Sequence, residues 1–481
     1  MLRRAPMDIL MVSAELGPFV DTGCGSVVAA LAKGLKQLGH DVTVALPRLE
    51  AFEAGGLMLA RRLSPLEWEG GQAVVFDCQL PSGVKVVLFD EAPSKGEKAP
   101  ARFAGESPFA SDVDADLLAE RCGLFVRSVQ ALCQERSKAG QGFDVVHLFD
   151  WPAAPAALNE LGARVVLTIT DATHQGSFPA RAAESLGIPK ERAGEARAGN
   201  RVNALKAGIS GADVITTISD AYARDLSSDG HAGGLTRVLA DRSDVFFGVQ
   251  LGVDYSVYNP ATDPSLAQRF DAEDTSGKQV CKTALLRQLE LPLSPDRPLI
   301  AFAGDLTRAA GGDWLVAALP KLLANDVVLL VSDAGDDTLV SKLKSVSERY
   351  PDNLRIVPSW ESSPNSQLEK RKLLAACDLW LIAPRADRAA TELMLAERYG
   401  AVPVVHAVGA LGDSIVDADA ELSTGTGFAF EEGSPKAITG AVARAISGYQ
   451  KQRWSALRRR VMRQDVSWDR PARRFQQLYR A

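Results

Sequence analysis

Glycines near the start of the chain are the first candidates for a chemical role. Gly23, Gly25 and Val28 follow the spacing of a dinucleotide-binding turn. The preceding apolar run, residues 9–12, ends well before them, and the last position is valine rather than glycine, so a structural turn is favoured over a cofactor site. The chain has no G-x-S-x-G nucleophile turn, no phosphate-binding P-loop and no histidine-rich metal cluster. We therefore expect no cofactor and no metal.

Composition narrows the possible partners and the compartment. The net charge is −6 and the pI is about 5.6, so the chain as a whole does not attract nucleic acid or an anionic membrane. The longest apolar runs fall far short of the roughly 20 residues that span a bilayer. The six cysteines are widely spaced and form no C-x-x-C pair, which fits a reducing cytoplasm. We expect a cytoplasmic protein that binds neither nucleic acid nor membrane.

Short apolar runs alternate with longer amphipathic segments along the whole chain. Such runs are typical of buried parallel strands separated by helices. The first series is residues 9–12, 42–46, 84–88, 145–148, 165–169 and 214–218, and the second is residues 299–303, 327–331, 354–357, 379–382, 402–405 and 428–430. The pattern predicts an α/β protein with two doubly wound sheets in tandem.

The two series divide the chain into domains. Residues 251–276 lack sustained periodicity and are rich in Asp, Asn and Pro, so they are the best candidate for a hinge. We place an N-terminal Rossmann-like domain at residues 1–255 and a C-terminal one at residues 256–462. Residues 463–481 are predicted to form a C-terminal helix that returns to the N-terminal domain.

Several motifs occur in a fixed order and carry a resemblance to a known family. The N-terminal motifs are Ser13-Ala14-Glu15, Thr22-Gly23, Leu38-Gly39-His40-Asp41, Asp150-Trp151, Gln175-Gly176 and Asn203-Ala204-Leu205-Lys206. The later motifs are Gly252-Val253-Asp254-Tyr255, Asn259-Pro260-Ala261-Thr262-Asp263-Pro264, Arg398-Tyr399-Gly400 and Gly425-Thr426-Gly427-Phe428. Together they resemble the bacterial glycogen synthase and plant starch synthase family over nearly the whole chain.

The resemblance implies a fold and an activity. Members of this family have the GT-B fold, in which two Rossmann-like domains face each other across a cleft. They are retaining glucosyltransferases that use ADP-glucose or a related nucleotide sugar, with the diphosphate on the second domain and the acceptor glucan on the first. Cations and helix N-terminal N–H groups stabilise the departing diphosphate.

Two loops of the second domain depart from the family pattern. In residues 304–311 the family's diphosphate-binding Arg and Lys correspond to Asp305 and Ala310. In residues 384–392 the family's Glu, Gly and Thr correspond to Asp387, Ala390 and Glu392. At about 5 Å and an effective dielectric of about 20, a carboxylate beside a phosphate costs on the order of 3 kcal/mol. We expect the three acids to make this region electronegative.

The first domain shows similar changes. The family's loop lysine corresponds to Asp21, and two family histidines correspond to Phe149 and Thr170. This chain does have a histidine nearby, His147, but it is more simply explained as a core residue. None of the five histidines in the chain is placed to replace the lost ones.

These substitutions favour a degenerate member of the family, catalytically inactive or severely impaired, that binds glucan or another protein. The alternative is an active glycogen synthase that elongates α-1,4-glucan from ADP-glucose, with Arg308 or Arg388 supplying the lost positive charge. A GT-B transferase with another donor is a third interpretation. Residues kept from the family pattern remain candidates for ligand binding, namely Thr22, Gly23, Asp150, Trp151, Asn203 and Arg385.

Overall fold

The computed structural model describes residues 5–91, 103, 109, 113–228, 232–294, 296–360 and 366–481. The chain divides into an N-terminal unit, Met1–Leu251 with Trp468–Ala481, and a C-terminal unit, Gly252–Ser467. The first passage between units thus lies at Leu251 rather than at residue 255, and the return lies at Trp468 rather than at residue 463. The reason is local: the Val253 N–H donates to the Val466 carbonyl at 2.7 Å, so both segments belong to the C-terminal unit.

The N-terminal unit has strands on a large sheet and a small one. The strands are β1 (Asp8–Val12), β2 (Asp41–Pro47), β3 (Ala60–Arg61), β4 (Leu66–Trp68), β5 (Gly71–Gln79), β6 (Lys85–Glu91), β7 (Val145–Phe149), β8 (Arg164–Ile169), β9 (Ser177–Pro179), β10 (Arg197–Ala198), β11 (Arg201–Asn203), β12 (Val214–Thr217) and β13 (Phe246–Gly248). The helices are α1 (Cys24–Gln37), α2 (Glu50–Ala54), α3 (Ala115–Lys138), α4 (Asp150–Ala153), α5 (Ala204–Gly211), α6 (Asp220–Leu226) and α7 (Thr236–Ala240).

The large sheet of this unit runs in the order β13-β12-β8-β7-β1-β2-β6-β5-β3, with β4 also paired to β5. The strands from β13 to β6 are parallel, and β3, β4 and β5 add antiparallel pairs at one edge. Strands β10, β11 and β9 form a separate antiparallel sheet. The central parallel strands are buried along nearly their whole length, which is why they appear as continuous apolar runs.

The C-terminal unit is built on one parallel sheet. Its strands are β14 (Leu299–Phe302), β15 (Val328–Ser332), β16 (Leu354–Val357), β17 (Leu379–Ile382), β18 (Val402–His406) and β19 (Phe428–Phe430), in the order β16-β15-β14-β17-β18-β19. Its helices are α8 (Gly277–Gln288), α9 (Gly312–Leu322), α10 (Asp337–Ser347), α11 (Ser366–Ala376), α12 (Thr391–Tyr399), α13 (Gly409–Ser414), α14 (Pro435–Tyr449) and α15 (Trp454–Met462).

The last helix, α16 (Asp469–Leu478), belongs to the N-terminal unit and packs on α1. A buried chain of hydrogen bonds follows it: the Tyr479 hydroxyl lies 2.7 Å from Nδ1 of His147, and Nε2 of His147 lies 2.6 Å from Oγ1 of Thr168. Burial lowers the pKa of His147 to about 3, so the ring is neutral. His147 therefore has a structural role in the core.

A buried ionic cluster organises the C-terminal unit. Asp378, which precedes β17, accepts from Lys282 Nζ at 2.7 Å and from Arg458 Nη2 at 2.8 Å, and all three side chains are largely buried. Its carboxylate also accepts the Leu299 N–H at 3.1 Å, where β14 begins. One carboxylate thus links two central strands to α8 and α15.

Replacing Asp378 with Asn should destabilise the C-terminal unit by about 3–5 kcal/mol, because two buried cations would lose their counter-charge. Urea unfolding followed by tryptophan fluorescence measures this loss. The control is Asp417→Asn, which removes one partner of an exposed ion pair with Arg444 and should cost about 1 kcal/mol or less. Equal effects of the two substitutions would contradict the structural role given to Asp378.

Candidate functional site

The loops singled out by sequence follow strands at the carboxyl ends of the two parallel sheets. Ligands of open α/β sheets bind at these ends. In the C-terminal unit the loops follow β14 and β17. In the N-terminal unit they follow β1, β7 and β8, so each unit is described separately.

Asp305 occupies the position of a family arginine and is engaged by its own unit. Its Oδ1 accepts from the hydroxyls of Ser332 and Ser359, each at 2.8 Å. Because these serines lie at the end of β15 and beyond β16, Asp305 joins the carboxyl ends of three neighbouring strands. A carboxylate is thus a structural part of this edge of the sheet.

A cavity of about 260 Å³ lies beside this loop. Ala310, Asp387 and Glu392 line it together with backbone and apolar groups, whereas Asp305 is absent from the lining. The Asp305 carboxylate is instead held by two serines, and the electronegative region expected around the three acids stays a prediction. The cavity lining contains two carboxylic residues and no lysine or arginine.

Glu392 is paired with a buried lysine. Its Oε1 makes an ion pair with Lys370 of α11, and its Oε2 accepts from the indole N–H of Trp380 at 3.0 Å. Glu392 therefore carries less uncompensated charge than the sequence alone suggested. The pair also occupies the ammonium of Lys370.

Asp387 caps the turn that leads into α12. Its Oδ1 accepts the N–H groups of Ala389 at 3.1 Å and Ala390 at 2.6 Å. Burial raises the pKa of Asp387, and these two backbone hydrogen bonds oppose the rise. Ala390 stands where the family has glycine and has φ +54°, the left-handed conformation that glycine favours. The loop keeps this backbone geometry although its side chains have changed.

Two of the nearby arginines, Arg385 and Arg308, lie beside one acid, Asp313. Arg385 forms a bidentate pair with Asp313 at 2.8 Å and lies over the Trp314 ring at 4.1 Å. Arg308 is mostly exposed, with its Nε 3.8 Å from the same carboxylate. Arg385 would have to leave Asp313 to give its Nη1 and Nη2 groups to a ligand, whereas Arg308 makes no hydrogen bond to that carboxylate.

In the N-terminal unit, two acids organise the loop before α1. Glu15 accepts from both the N–H, at 2.8 Å, and the hydroxyl, at 2.6 Å, of Thr22, and from the Gly25 N–H at 3.2 Å. Asp21 accepts the N–H groups of Gly23 at 2.9 Å and Ser26 at 3.0 Å. The N–H groups at the start of α1 are thus bound by carboxylates of the same loop.

Asp150 is the centre of a second cluster in this unit. It has φ +54° and accepts from the N–H of Thr170 at 2.7 Å and from its hydroxyl. The thiol of Cys24 lies nearby, and the Asp150 charge contributes to raising the pKa of that buried thiol. Some of the residue is exposed, but protein atoms surround the carboxylate, and this desolvation raises the pKa of Asp150 to about 6.

The remaining predicted positions are part of the packing. The Phe149 ring is buried and lies 4.1 Å from the His147 ring. Trp151 is buried and packs edge-on against Phe109. Asn203 accepts the Lys206 N–H as the N-cap of α5 and donates to Gln175 at 2.8 Å.

The structure brings Asp150, Thr170 and Cys24 together in one unit, and Ala310, Asp387 and Glu392 together in the other. Sequence analysis did not identify the partners Ser332, Ser359, Lys370 and Asp313, which come from other elements, whereas the partners Glu15, Gln175 and Lys206 lay within quoted motifs. Among the described residues, no group of three His, Cys, Asp or Glu side chains could hold a metal. Within the same residues, no helix has the length and apolarity needed to cross a membrane.

Comparison with known proteins gives a consistent family. Residues 8–241 match the family described as "Starch synthase catalytic domain". A protein of Thioalkalivibrio sulfidiphilus named "Glycogen synthase" is 33% identical over 98% of this chain and 99% of its own length. One from an Anaeromyxobacter species with the same name is 34% identical over 99% of both chains.

Solved structures agree on the fold. The catalytic domain of starch synthase IV from Arabidopsis thaliana, bound to ADP and acarbose, matches 99% of both chains with a TM-score of 0.82 and 24% identity. A sucrose-phosphate synthase from Thermosynechococcus elongatus matches with a TM-score of 0.53 and 15% identity. The α/β fold with two Rossmann-like units is therefore of the GT-B type, as predicted.

The raised pKa of Asp150 predicts a pH-dependent stability. The folded protein holds this proton up to about pH 6, whereas an unfolded aspartate releases it near pH 4. The contribution of Asp150 to the free energy of unfolding is fully present below pH 4. It is lost as the pH rises through 6, by at most about 3 kcal/mol. In Asp150→Asn this component should vanish, which urea unfolding at pH 4, 5, 6 and 7 would measure. An unchanged difference between the two proteins across this range would contradict the assignment.

Proposed function

Because the chain belongs to the glycogen synthase and starch synthase family, we propose that it is a glycogen synthase-like protein in which glucosyl transfer from ADP-glucose is lost or severely impaired. It would act in the cytoplasm by binding glucan or another protein. The single observation that carries this proposal is that the acids replacing family residues are hydrogen-bonded or ion-paired by groups of their own unit. Its six unpaired cysteines agree with a reducing compartment.

A nucleotide diphosphate needs N–H donors and cations. Anions bind at helix N-termini because the first N–H groups lack partners within the helix. Here the turn before α12 gives its N–H groups to Asp387, and in the turn before α9 the Ala310 N–H donates to the Thr307 hydroxyl at 3.1 Å. The N–H groups of Ala310, Ala389 and Ala390 are therefore already used.

The charges around the cavity also disfavour diphosphate binding. The cavity beside Ala310 is lined by Asp387 and Glu392 without a cationic residue. Lys370 neutralises Glu392 but is bound to it, and Asp313 holds Arg385. A diphosphate bound here would lie beside carboxylates, while Lys370 and Arg385 are paired with acids of the protein. Removing even one hydrogen-bond donor that stabilises a developing negative charge commonly reduces kcat by about 10²- to 10³-fold.

The second candidate is an active ADP-glucose-dependent glycogen synthase, and the comparisons favour it over loss of activity. Relatives named glycogen synthase cover 98–99% of this chain at 33–34% identity. The proposed loss and the proposed scaffolding or glucan-binding role have no support from these relatives, and the loss rests on the side chains alone. Activity would require Arg308 or Arg388 to supply charge from a new direction.

Release of ADP from ADP-glucose in the presence of glycogen separates the two candidates. We expect no release above background from the purified protein, because Asp387 and Glu392 line the cavity and the N–H groups of Ala310, Ala389 and Ala390 are already bound. An active glycogen synthase from the same family, assayed in parallel, is the control. Sustained ADP release with growth of the glucan chain would overturn the proposal.

Repair of the C-terminal loops tests its cause. The combined variant Asp305→Arg, Ala310→Lys, Asp387→Glu and Glu392→Thr should gain ADP binding in titration calorimetry, while each single variant should not. The four positions act as a unit, so their effects are not additive. Turnover should remain undetectable, since Phe149 and Thr170 still replace histidines.

A charge-matched control keeps this test specific. The substitutions Asp337→Arg, Ser341→Lys and Glu348→Thr add the same net charge of +4, at exposed positions within α10 or directly after it. ADP binding by this control equal to that of the repaired protein would show that net charge, rather than the loops, sets the affinity. The charge argument would be contradicted if the unmodified protein binds ADP and none of the loop substitutions changes that affinity.

A further inference from the structure

A second cavity, of about 470 Å³, lies in the N-terminal unit. It is lined by the first residues of β2 and β6, by β5 and by the C-terminal half of α3. Thr43 and Lys85 stand at the amino ends of their parallel strands, whereas the loops described above follow carboxyl ends. The cavity is therefore a separate place from the loops discussed under the proposed function, and the inference goes beyond that function.

The acceptors that face this cavity already have donors. Asp77 is held by Arg62 through two hydrogen bonds of 2.7 and 2.8 Å. The same guanidinium donates to Glu135 at 3.4 Å. Because one arginine serves both carboxylates, they offer little to a ligand that needs acceptors.

Several donors, by contrast, are left over. Thr43 is buried, with 5% of its surface exposed, and none of the described residues hydrogen-bonds its hydroxyl. Lys85 is its register partner on the adjacent strand, so the two side chains lie on the same face of the sheet. The Lys85 ammonium is 3.9 Å from Asp41, beyond hydrogen-bonding distance, and Asp41 is bound more closely by Lys36 at 3.0 Å.

Arg136 adds a third donor. It gives Nε to the Gln141 carbonyl at 2.8 Å and Nη2 to Asp8 at 2.6 Å, which leaves Nη1. Its guanidinium is held over the Phe143 ring at 4.5 Å, so its orientation is fixed by packing. Leu132 and Val87 supply apolar wall between these groups.

We propose that this cavity is a binding site for a small anionic ligand, which presents one phosphate or carboxylate group to Thr43, Lys85 and Arg136. Unused donors beside satisfied acceptors select a ligand rich in acceptor oxygens, and charge-assisted hydrogen bonds favour an anion over a neutral one. Asp8 and Asp41 lie near the cations and moderate the attraction, so binding of the isolated anion is weak.

Titration calorimetry of the full chain with inorganic phosphate and with acetate, at constant ionic strength, tests the proposal. We expect saturable binding of at least one anion, which identifies the group that the site prefers. The double variant Thr43→Val and Lys85→Met keeps side-chain volume and should weaken binding at least tenfold, as loss of a charge-assisted hydrogen bond predicts. Lys138→Met, at the exposed end of α3 outside the cavity lining, should bind as the unmodified protein does.

The outcomes are decisive in both directions. No saturable binding of either anion, or equal binding by the unmodified protein and the Thr43→Val, Lys85→Met variant, would overturn the proposal. Binding of maltotriose with no response to either anion would also overturn it, since it would indicate a site for neutral polyols. A thermal melt of the double variant verifies that it is folded. Since ADP and ADP-glucose are absent, the result is independent of the ADP-release assay.

Discussion

A carboxylate withdrawn from water needs hydrogen-bond donors or a cation, and this requirement shapes the loops at the carboxyl ends of both sheets. The protein itself meets it at each of these acids. Glu15 and Asp21 take N–H groups at the start of α1, Asp387 takes those before α12, and Asp305 takes two serine hydroxyls. The same donors would serve an anionic ligand in a phosphate-binding loop, so internal order and phosphate binding compete for them.

The central strands were predictable because they are buried on both faces. All twelve apolar runs correspond to parallel strands, from β1 through β19. Strands at the sheet edge were missed. In β5, four residues from Phe76 to Gln79 are only partly buried or exposed, so its sequence lacks a continuous apolar run. The three-residue strands β9, β11 and β13 were also missed, since so few residues carry no periodicity.

At the site, the sequence revealed which residue types changed but not what they contact. Asp305 and Glu392 were expected to add negative charge to one place. The structure gives them partners from β15, from the segment after β16 and from α11, which only the tertiary fold brings near. Lys370 precedes Glu392 by more than twenty positions, beyond the reach of any helix spacing rule. Charge alone therefore overstated the repulsion, and the proposed loss of phosphate binding depends more on these hydrogen bonds.

Whole-chain similarity and loop chemistry measure different properties, because fold does not determine function. Ala390 illustrates the separation: it holds φ +54° at a position where the family has glycine, although this conformation costs a residue with a β-carbon about 1 kcal/mol. The Asp387 cap and the carbonyl of Asp387, which accepts the Ala410 N–H at 3.1 Å, hold the turn against that cost. The hydrogen bonds of this loop thus fix its backbone path, while the side chains on that path are free to differ from the family pattern. Similarity to glycogen synthases follows from the first constraint, and the proposed loss of transfer follows from the second.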